Sequence, residues 1–363
     1  MDQFNHITVL LQETINLVSA NFASSLATRK SQIWADCTLG GAGHTLALFD
    51  RFAETLRNAE HTDCRIEHLC CDQDPVALEV AGQRLRQWKE RHGELAANIT
   101  VTLLPINFRD LSSWLRENRP SQKVSGLIAD FGVSSPQIDS AERGFSFLRE
   151  GPLDMRMNTE GYTTAHSILT TWEADELQRI FSDYGEEPRS RALARAIVQD
   201  RGKGLLPLSN TVEFANYVSR VLGYHQSRVH PATRIFQALR IAVNEELSSI
   251  EELLAAMPTL MDAESCAGLI SFHSLEDRLV KRYFRAWEQG DLTPEAKRKS
   301  EKQRWTESQL GLFAAADNKQ NSFGREEPRG GIVAGDEEVK INPRARSARL
   351  RGFSFTNAAP VRT

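Results

Sequence analysis

Long uncharged stretches are missing from this 363-residue chain, and no run approaches the roughly 18 apolar residues that a membrane-spanning helix needs. A basic leader is missing too: Met1 to Leu11 carries no lysine or arginine and Glu13 follows soon after, so no secretory signal and no membrane association are expected. Cysteine is scarce. Its five copies (Cys37, Cys64, Cys70, Cys71, Cys266) show no paired CxxC spacing, which speaks against zinc sites and disulfide frameworks and favours a reduced, cytoplasmic setting. A surplus of positive charge is also absent. The net charge of -4 argues against coating nucleic acid by bulk electrostatics, while leaving room for local basic patches.

Such patches exist. Ile341 to Thr363 holds Arg344, Arg346, Arg349, Arg351 and Arg362 with no acid, and a second group comprises Arg189, Arg191, Arg195, Arg201 and Lys203. Each is read in two ways, as a phosphate-contacting surface or as a solvated helix face and a basic tail. A content of 40% hydrophobic and 25% charged residues is that of an ordinary soluble globular protein, long enough for two domains or for one with an insertion.

The first part of the chain alternates strands and helices. Gln32–Cys37, Ile66–Asp72, Ile99–Leu104 and Val124–Asp130 are short apolar runs of strand length. Between the second and third, Pro75 to Trp88 places Leu78, Ala81, Leu85 and Trp88 at helical spacing, with Asp74 as N-cap. This alternation predicts a parallel α/β sheet covered on both faces. The next strand, Cys266–Phe272, lies too far away for a single crossover. A long helix is expected from His230-Pro231 through Leu254, and 139–229 is expected to be an inserted unit with helices over Trp172–Tyr184, Pro188–Arg201 and Thr211–Leu222. The sheet domain is thus expected over 1–138 and 230–363. Beyond Tyr283, the polar stretch with Lys297-Arg298-Lys299 and the glycines near Gly330-Gly331 is expected to be a mobile loop.

Three strand ends carry chemistry. The first runs into Cys37-Thr38-Leu39-Gly40-Gly41-Ala42-Gly43-His44, a glycine-rich turn before a helix, read as a ligand cradle or as a plain tight turn. Leu46 occupies the place of the third glycine in G-x-G-x-x-G, which counts against a nicotinamide dehydrogenase. Asp72 closes the second strand, where a carboxylate accepts the hydroxyls of an adenosyl ribose; Asp74 is the rival, set aside for its capping duty, and the loop around Thr62 to Arg65 is expected to be extended. The fourth strand ends in Asp130-Phe131-Gly132-Val133-Ser134-Ser135-Pro136-Gln137, either an Asx-type turn or a shaped loop at the ligand-binding rim. On the fifth, Ser274 and Asp277 fit a capping box and His273 just before it is either a structural histidine or a substrate contact.

These residues, with His6-Ile7-Thr8-Val9-Leu10-Leu11, Arg143 to Phe147, Gly151 to Met157, Tyr184 to Glu187, His230 to Arg234, Asn244 to Leu247 and Asn342 to Ala348, closely resemble the bacterial RsmH (MraW) family, whose motifs run in the same order from residue 6 to about residue 350. The resemblance implies a Rossmann-like class I methyltransferase sheet with an inserted small helical domain. It also implies S-adenosyl-L-methionine as cofactor, held at Ala42, Gly43, His44, Asp72, Phe108, Asp130 and Gln137. The implied substrate is the N4 amine of a decoding-centre cytidine of 16S ribosomal RNA, presented by an assembled or nearly assembled small ribosomal subunit. Departures are mild: Phe131 stands where the family has leucine, and Leu39 and Ala42 vary the glycine loop.

Asp130 is expected to receive positive charge from the attacking amine, with Ser134 and Ser135 orienting it. The Asp/Asn-Pro-Pro-aromatic loop of many amino-methyltransferases is absent here, and so is a cysteine placed for attack on a ring carbon. Phe145, Phe147, Arg149 and Arg156 either stack on bases and hold phosphate or fasten the inserted helices. Arg189, Arg191, Arg234 and His273 complete the expected RNA contacts, and no metal is expected. A dehydrogenase and a non-enzymatic ribosome-assembly factor are the rival classes.

Overall fold

The computed structural model describes residues 7–58, 64–223, 230–294 and 322–357. The expectations for His6, Thr62, Lys297-Arg298-Lys299 and Arg362 lie outside the described residues. The chain divides into two compact units, Val133–Leu247 and Ile7–Gly132 with Ser248–Thr363. Among the described residues no helix is long and apolar enough to cross a membrane.

The larger unit is an eight-stranded sheet. Its strands are β1 (Ser31–Asp36), β2 (Arg65–Cys71), β3 (Ile99–Leu104), β4 (Val124–Asp130), β5 (Met261–Ser271), β6 (Gly324–Glu326), β7 (Ile332–Val333) and β8 (Arg349–Phe355). They lie in the order β3-β2-β1-β4-β5-β8-β6, with β7 also on β8. The five strands from β3 to β5 are parallel; β8 runs antiparallel to β5, β6 and β7. This is the Rossmann-like α/β class.

Burial on both faces explains the near-continuous apolar runs, as in β4, where Gly126 to Ala129 are all buried. Gly126 is fixed by its neighbour, because a Cβ there would lie 2.1 Å from the ring of Trp34. The helices of this unit are α1 (Leu11–Val18), α2 (Phe22–Ser25), α3 (Gly43–Asn58), α4 (Pro75–His92) and α5 (Leu111–Asn118), followed after the helical unit by α12 (Glu246–Leu260), α13 (Ser274–Trp287) and α14 (Asp336–Ile341), α12 beginning at the boundary itself. One apolar layer joins the sheet to α5, α12 and α13 through Leu111, Leu253, Met257, Tyr283 and Trp287. The other joins it to α1, α3 and α4 through Ile15, Phe49, Phe52, Leu85 and Trp88. In α4 Asp74 accepts from the Val76 amide, the expected N-cap.

β2 and β4 lie on opposite sides of β1, so the connection out of β1 and the later one from β3 into β4 run in opposite directions across the sheet. In an open parallel sheet that reversal opens a crevice at the carboxyl ends of the strands, where ligands bind.

The smaller unit is helical: α6 (Ser135–Asp139), α7 (Ala165–Thr171), α8 (Ala174–Asp183), α9 (Ser190–Gly202), α10 (Thr211–Leu222) and α11 (Ala232–Asn244). Its own core includes Leu169, Phe181, Leu193, Phe214, Tyr217 and Leu239.

Four sequence expectations differ from this structure. The seams fall at 132/133 and 247/248 rather than 138/139 and 229/230, because α11 packs with the helical core through Ile235, Phe236 and Leu239. The single helix expected through Leu254 is two, broken at Glu245, whose φ of 50° leaves the helical region. Gly330-Gly331 is not in a long loop but joins β6 to β7; Gly331 has φ 73° and its amide bonds the Pro328 carbonyl. The stretch read as a basic tail contains β8. There Arg351 is 4% exposed, holding Asp277 of α13 at 2.6 Å and pairing with Glu326 of β6.

Candidate active site

At the end of β1 the chain must turn out of the sheet and enter α3 within seven residues. Asp36, buried, accomplishes this. Its Oδ1 accepts from the Thr38 amide at 3.1 Å, and its Oδ2 accepts from the Thr45 hydroxyl in the first turn of α3 at 2.7 Å. Thr45 also lies 3.1 Å from His68 Nε2 on β2. Burial pushes the Asp36 carboxyl up to about 6 and the His68 imidazole down to about 3.

The glycine loop is then sewn to its neighbours. The Leu39 amide bonds the Cys71 carbonyl at 2.9 Å, the Gly40 amide bonds Asp72 Oδ2 at 2.8 Å, and Thr38 Oγ1 accepts from the Asp130 amide at 2.6 Å. Gly40 has φ 48°, and a Cβ there would meet only the Thr38 carbonyl, at 3.9 Å, so this side of the loop has room for a ligand. Arg84 donates to the Gly41 carbonyl.

Ala42, Gly43 and His44 are placed differently. Ala42 is buried at φ 61°, a strained setting for a residue with a Cβ. A Cβ on Gly43 would lie 1.9 Å from Thr8 Oγ1, and His44 Nε2 lies 3.1 Å from the Val9 carbonyl. The observed contacts of Gly43 and His44 therefore include the segment before α1.

Asp72 follows β2. Its Oδ1 accepts from the Asp74 amide at 2.8 Å, and burial pushes its carboxyl up to about 6. Phe108 stands after β3 with its ring 5.8 Å from that of Phe131. Asp130 ends β4, and its Oδ1 is buried without a hydrogen-bond partner. Burial, followed by the neighbouring carboxyls of Asp36 and Glu276, holds its carboxyl well above the usual range. A buried carboxyl oxygen without a hydrogen-bond partner is costly, which marks Asp130 as a candidate ligand contact.

At β5 the capping differs from the expectation. His273, not Ser274, is the N-cap of α13, and Glu276, not Asp277, is its partner. Glu276 Oε2 accepts from the Phe272 and His273 amides at 2.7 and 3.2 Å, while Asp277 is committed to Arg351. Glu276 is wholly buried, 3.0 Å from His273 Nε2.

The remaining expected residues lie in the helical unit. Ser134 caps α6, its amide donating to the buried Gln137 at 3.0 Å; Ser135 is the first residue of that helix. Arg156 donates to Asp154 and to the carbonyls of Thr159 and Gly161, which makes it the clasp of its loop. Arg143 lies 5.9 Å from the Phe145 ring, and Phe147 packs on Phe236 at 4.8 Å. Arg149 reaches the Asp139 carbonyl at 3.4 Å. Arg189 is tied to the Leu222 carbonyl, and Arg234 lies 3.9 Å from Glu187. Arg191 and Arg195 are exposed on α9.

Sequence reasoning singled out neither Asp36, Thr38 nor Glu276. The D-x-T spacing of an Asx turn, in which a side chain bonds the amide two residues on, was the available signal for the first two.

The carboxyl edge of the sheet therefore keeps acceptors in reserve for a ligand that carries hydroxyls and positive charge. Asp72 has used one bond on each oxygen, which leaves lone pairs for ribose hydroxyls, and Asp130 offers a bare oxygen to positive charge.

Comparison with known proteins identifies the family. The model of the MraW methylase family matches residues 3–356. The protein named ribosomal RNA small subunit methyltransferase H from Idiomarina loihiensis is 37% identical over 346 residues, 95% of each chain. Its namesake from Shewanella woodyi is 35% identical over 352 residues, 96% of this chain and 97% of the relative. That from Chlorobium chlorochromatii is 38% identical over 341 residues, 92% and 94% respectively. With similarity carried through both units of the fold and every strand of the sheet, the chain belongs to the MraW methylase family.

Proposed function

We propose that this protein methylates small-subunit ribosomal RNA, using S-adenosyl-L-methionine, at the N4 amine of a decoding-centre cytidine. The observation that carries the reading is Asp130, a buried carboxyl with a bare Oδ1 at the β1/β4 reversal. The relatives, named as small-subunit ribosomal RNA methyltransferases, support the substrate class.

Bound at this edge, the cofactor supplies a methyl group already activated on a sulfonium centre. Asp72 holds the ribose hydroxyls, and the amides of the glycine loop shape the approach. Ala42, Gly43, His44, Phe108 and Gln137 complete the proposed cofactor set.

The chain's own task is alignment and electrostatics. The lone pair of a cytosine amine is conjugated with its ring, and it becomes nucleophilic only as the nitrogen rehybridises and turns cationic. Asp130, whose anion is disfavoured by burial and by the neighbouring carboxyls, is drawn toward ionisation by an opposite charge arriving beside it. It therefore stabilises the amine most when that amine is most positive, which is differential stabilisation of the transition state. Ser134 and Ser135 orient the base. The target must be unstacked to reach the edge, as unpaired RNA permits. The helical unit supplies phosphate contacts, with Arg191 and Arg195 exposed for that role and Phe145, Arg156, Arg189 and Arg234 shaping its surface, while His273 of the α/β unit is a further proposed RNA contact.

Nucleoside mass spectrometry tests the product. Small subunits from cells lacking this protein, incubated with it and labelled cofactor, should gain one N4-methylcytidine. A methyl on carbon 5, on transfer RNA or on protein would overturn the substrate.

A further inference from the structure

We propose that Thr38 is a positioning residue for methyl transfer: its hydroxyl fixes the backbone of Asp130 against the glycine loop that Asp36 anchors. The inference rests on the role given above to Asp130.

The geometry is a chain of three links between strands that are neighbours in space but far apart in sequence. Asp36 Oδ1 takes the Thr38 amide at 3.1 Å and so sets the direction of the Thr38 side chain. Asp36 Oδ2 takes the Thr45 hydroxyl at 2.7 Å, which locks the same carboxyl to α3. Thr38 Oγ1 then takes the Asp130 amide at 2.6 Å, the shortest of the three. Without it, the last amide of β4 would have no partner where the β1 ladder has already ended: the last register pair between these strands is Asp36 with Ile128, and the Cys37 amide bonds the Ile128 carbonyl. The threonine hydroxyl thus extends the β1–β4 ladder by one rung after the main chain of β1 has turned away. The two residues after Thr38 bond Cys71 and Asp72. One short segment consequently sets both the acid assigned to the ribose and the acid assigned to the amine.

A threonine is suited to this position because only a side-chain acceptor on the departing loop can serve the Asp130 amide. Valine has the same shape without the acceptor, and serine retains the acceptor. The reading therefore separates hydrogen bonding from packing.

The experiment compares wild type, Thr38→Val, Thr38→Ser, Asp130→Asn and the double variant Thr38→Val/Asp130→Asn in single-turnover methylation of under-methylated small subunits, with cofactor affinity measured by calorimetry. Thr38→Val should slow turnover about tenfold or more while cofactor affinity stays within about twofold; Thr38→Ser should recover most of the loss. If Thr38 acts through Asp130, the double variant should be no slower than Asp130→Asn alone, a non-additivity that a generally weakened fold does not produce. Should Thr38→Val fail to fold, Thr38→Ala carries the same expectations. Wild-type turnover in Thr38→Val, failure of serine to restore it, or simple multiplication of the two losses would overturn the proposal. A slow Asp130→Asn beside a fast Thr38→Val sinks this inference alone, whereas a fast Asp130→Asn sinks the reading of Asp130 and this inference with it.

Discussion

The two units differ in the charge that they leave without a partner. In the helical unit, charged side chains are absorbed into structure. Arg156 clasps its loop, Arg201 donates to the carbonyls of Leu169 and Trp172, and Asp200 accepts from the buried Tyr217. In the α/β unit, Asp36, Asp72 and Asp130 sit at strand ends where burial raises all three carboxyls. Every buried side-chain polar atom without a hydrogen bond among the described residues belongs to this unit, Asp130 Oδ1 among them. Both units hold structural ion pairs, Arg351 with Asp277 and Glu326 in the α/β unit among them, but charge kept at a cost to stability gathers at the strand ends of the α/β unit. Chemistry is to be sought where the cost remains.

The contrast is tested most severely at Asp72. Asp72→Ala should weaken cofactor binding by about 1.5–3 kcal/mol, the worth of lost charge-assisted hydrogen bonds, without lowering thermal stability. Its carboxyl, raised to about 6, also sets a pH dependence. Ribose hydroxyls donate to the ionised form, so calorimetric affinity should fall as pH drops through about 6. Stability responds with the opposite sign: a raised carboxyl contributes stability that is full below about 3.8 and is lost as pH rises through about 6. Affinity unchanged in Asp72→Ala would move the ribose elsewhere.

Arg156 tests the helical side. Burial alone pushes Asp154 up, but hydrogen bonds from Arg156 overcome it and hold the carboxyl below its usual range. Arg156→Ala should cost about 2 kcal/mol of stability, seen as a lower Tm, and leave cofactor affinity untouched. A variant as stable as wild type but poor in RNA binding would return Arg156 to the substrate surface and blur the contrast.

The smallest effect is expected at Arg191 and Arg195, exposed charges not absorbed by the fold. Changing both to Glu should reduce the slope of log affinity for RNA against log salt by about 1.4, from two lost phosphate contacts, with Tm and cofactor affinity unmoved. An unchanged slope would make them a solvated helix face.

Much of this was legible in the sequence. Val124–Asp130 matched its strand because a run buried on both faces has no other reading beside turn residues, whereas Ile99–Leu104, buried only at its two ends, matched through its β-branched composition. Thr211–Leu222 matched its helix through its unbroken period. β8 was illegible because Arg349 and Arg351 interrupt the apolar pattern of Leu350, Phe353 and Phe355, and a buried arginine shows itself only with its partners Asp277 and Glu326 in place. The break at Glu245 was hidden because a single positive-φ residue leaves the flanking periodicity almost intact. At the site, Asp72 and Asp130 stood out as candidates because each lies at the carboxyl end of a strand run. Thr38 could not be singled out, since its duty exists only once β1 and β4 are known to be neighbours.

β8 has one further consequence, which concerns how the protein is made. In chain order it follows every other strand and the whole helical unit. It covers the flank of β5, whose Ser265–Ser271 segment is continuously buried in the finished sheet. About 80 residues separate the end of β5 from the start of β8, which at roughly 5–20 residues per second leaves that flank without its partner for on the order of ten seconds of synthesis. Through that interval a growing polypeptide displays an unpaired apolar strand edge, the most adhesive surface a sheet can offer. Chaperone dependence during translation, and aggregation when β8 is mutated, should both trace to that delay.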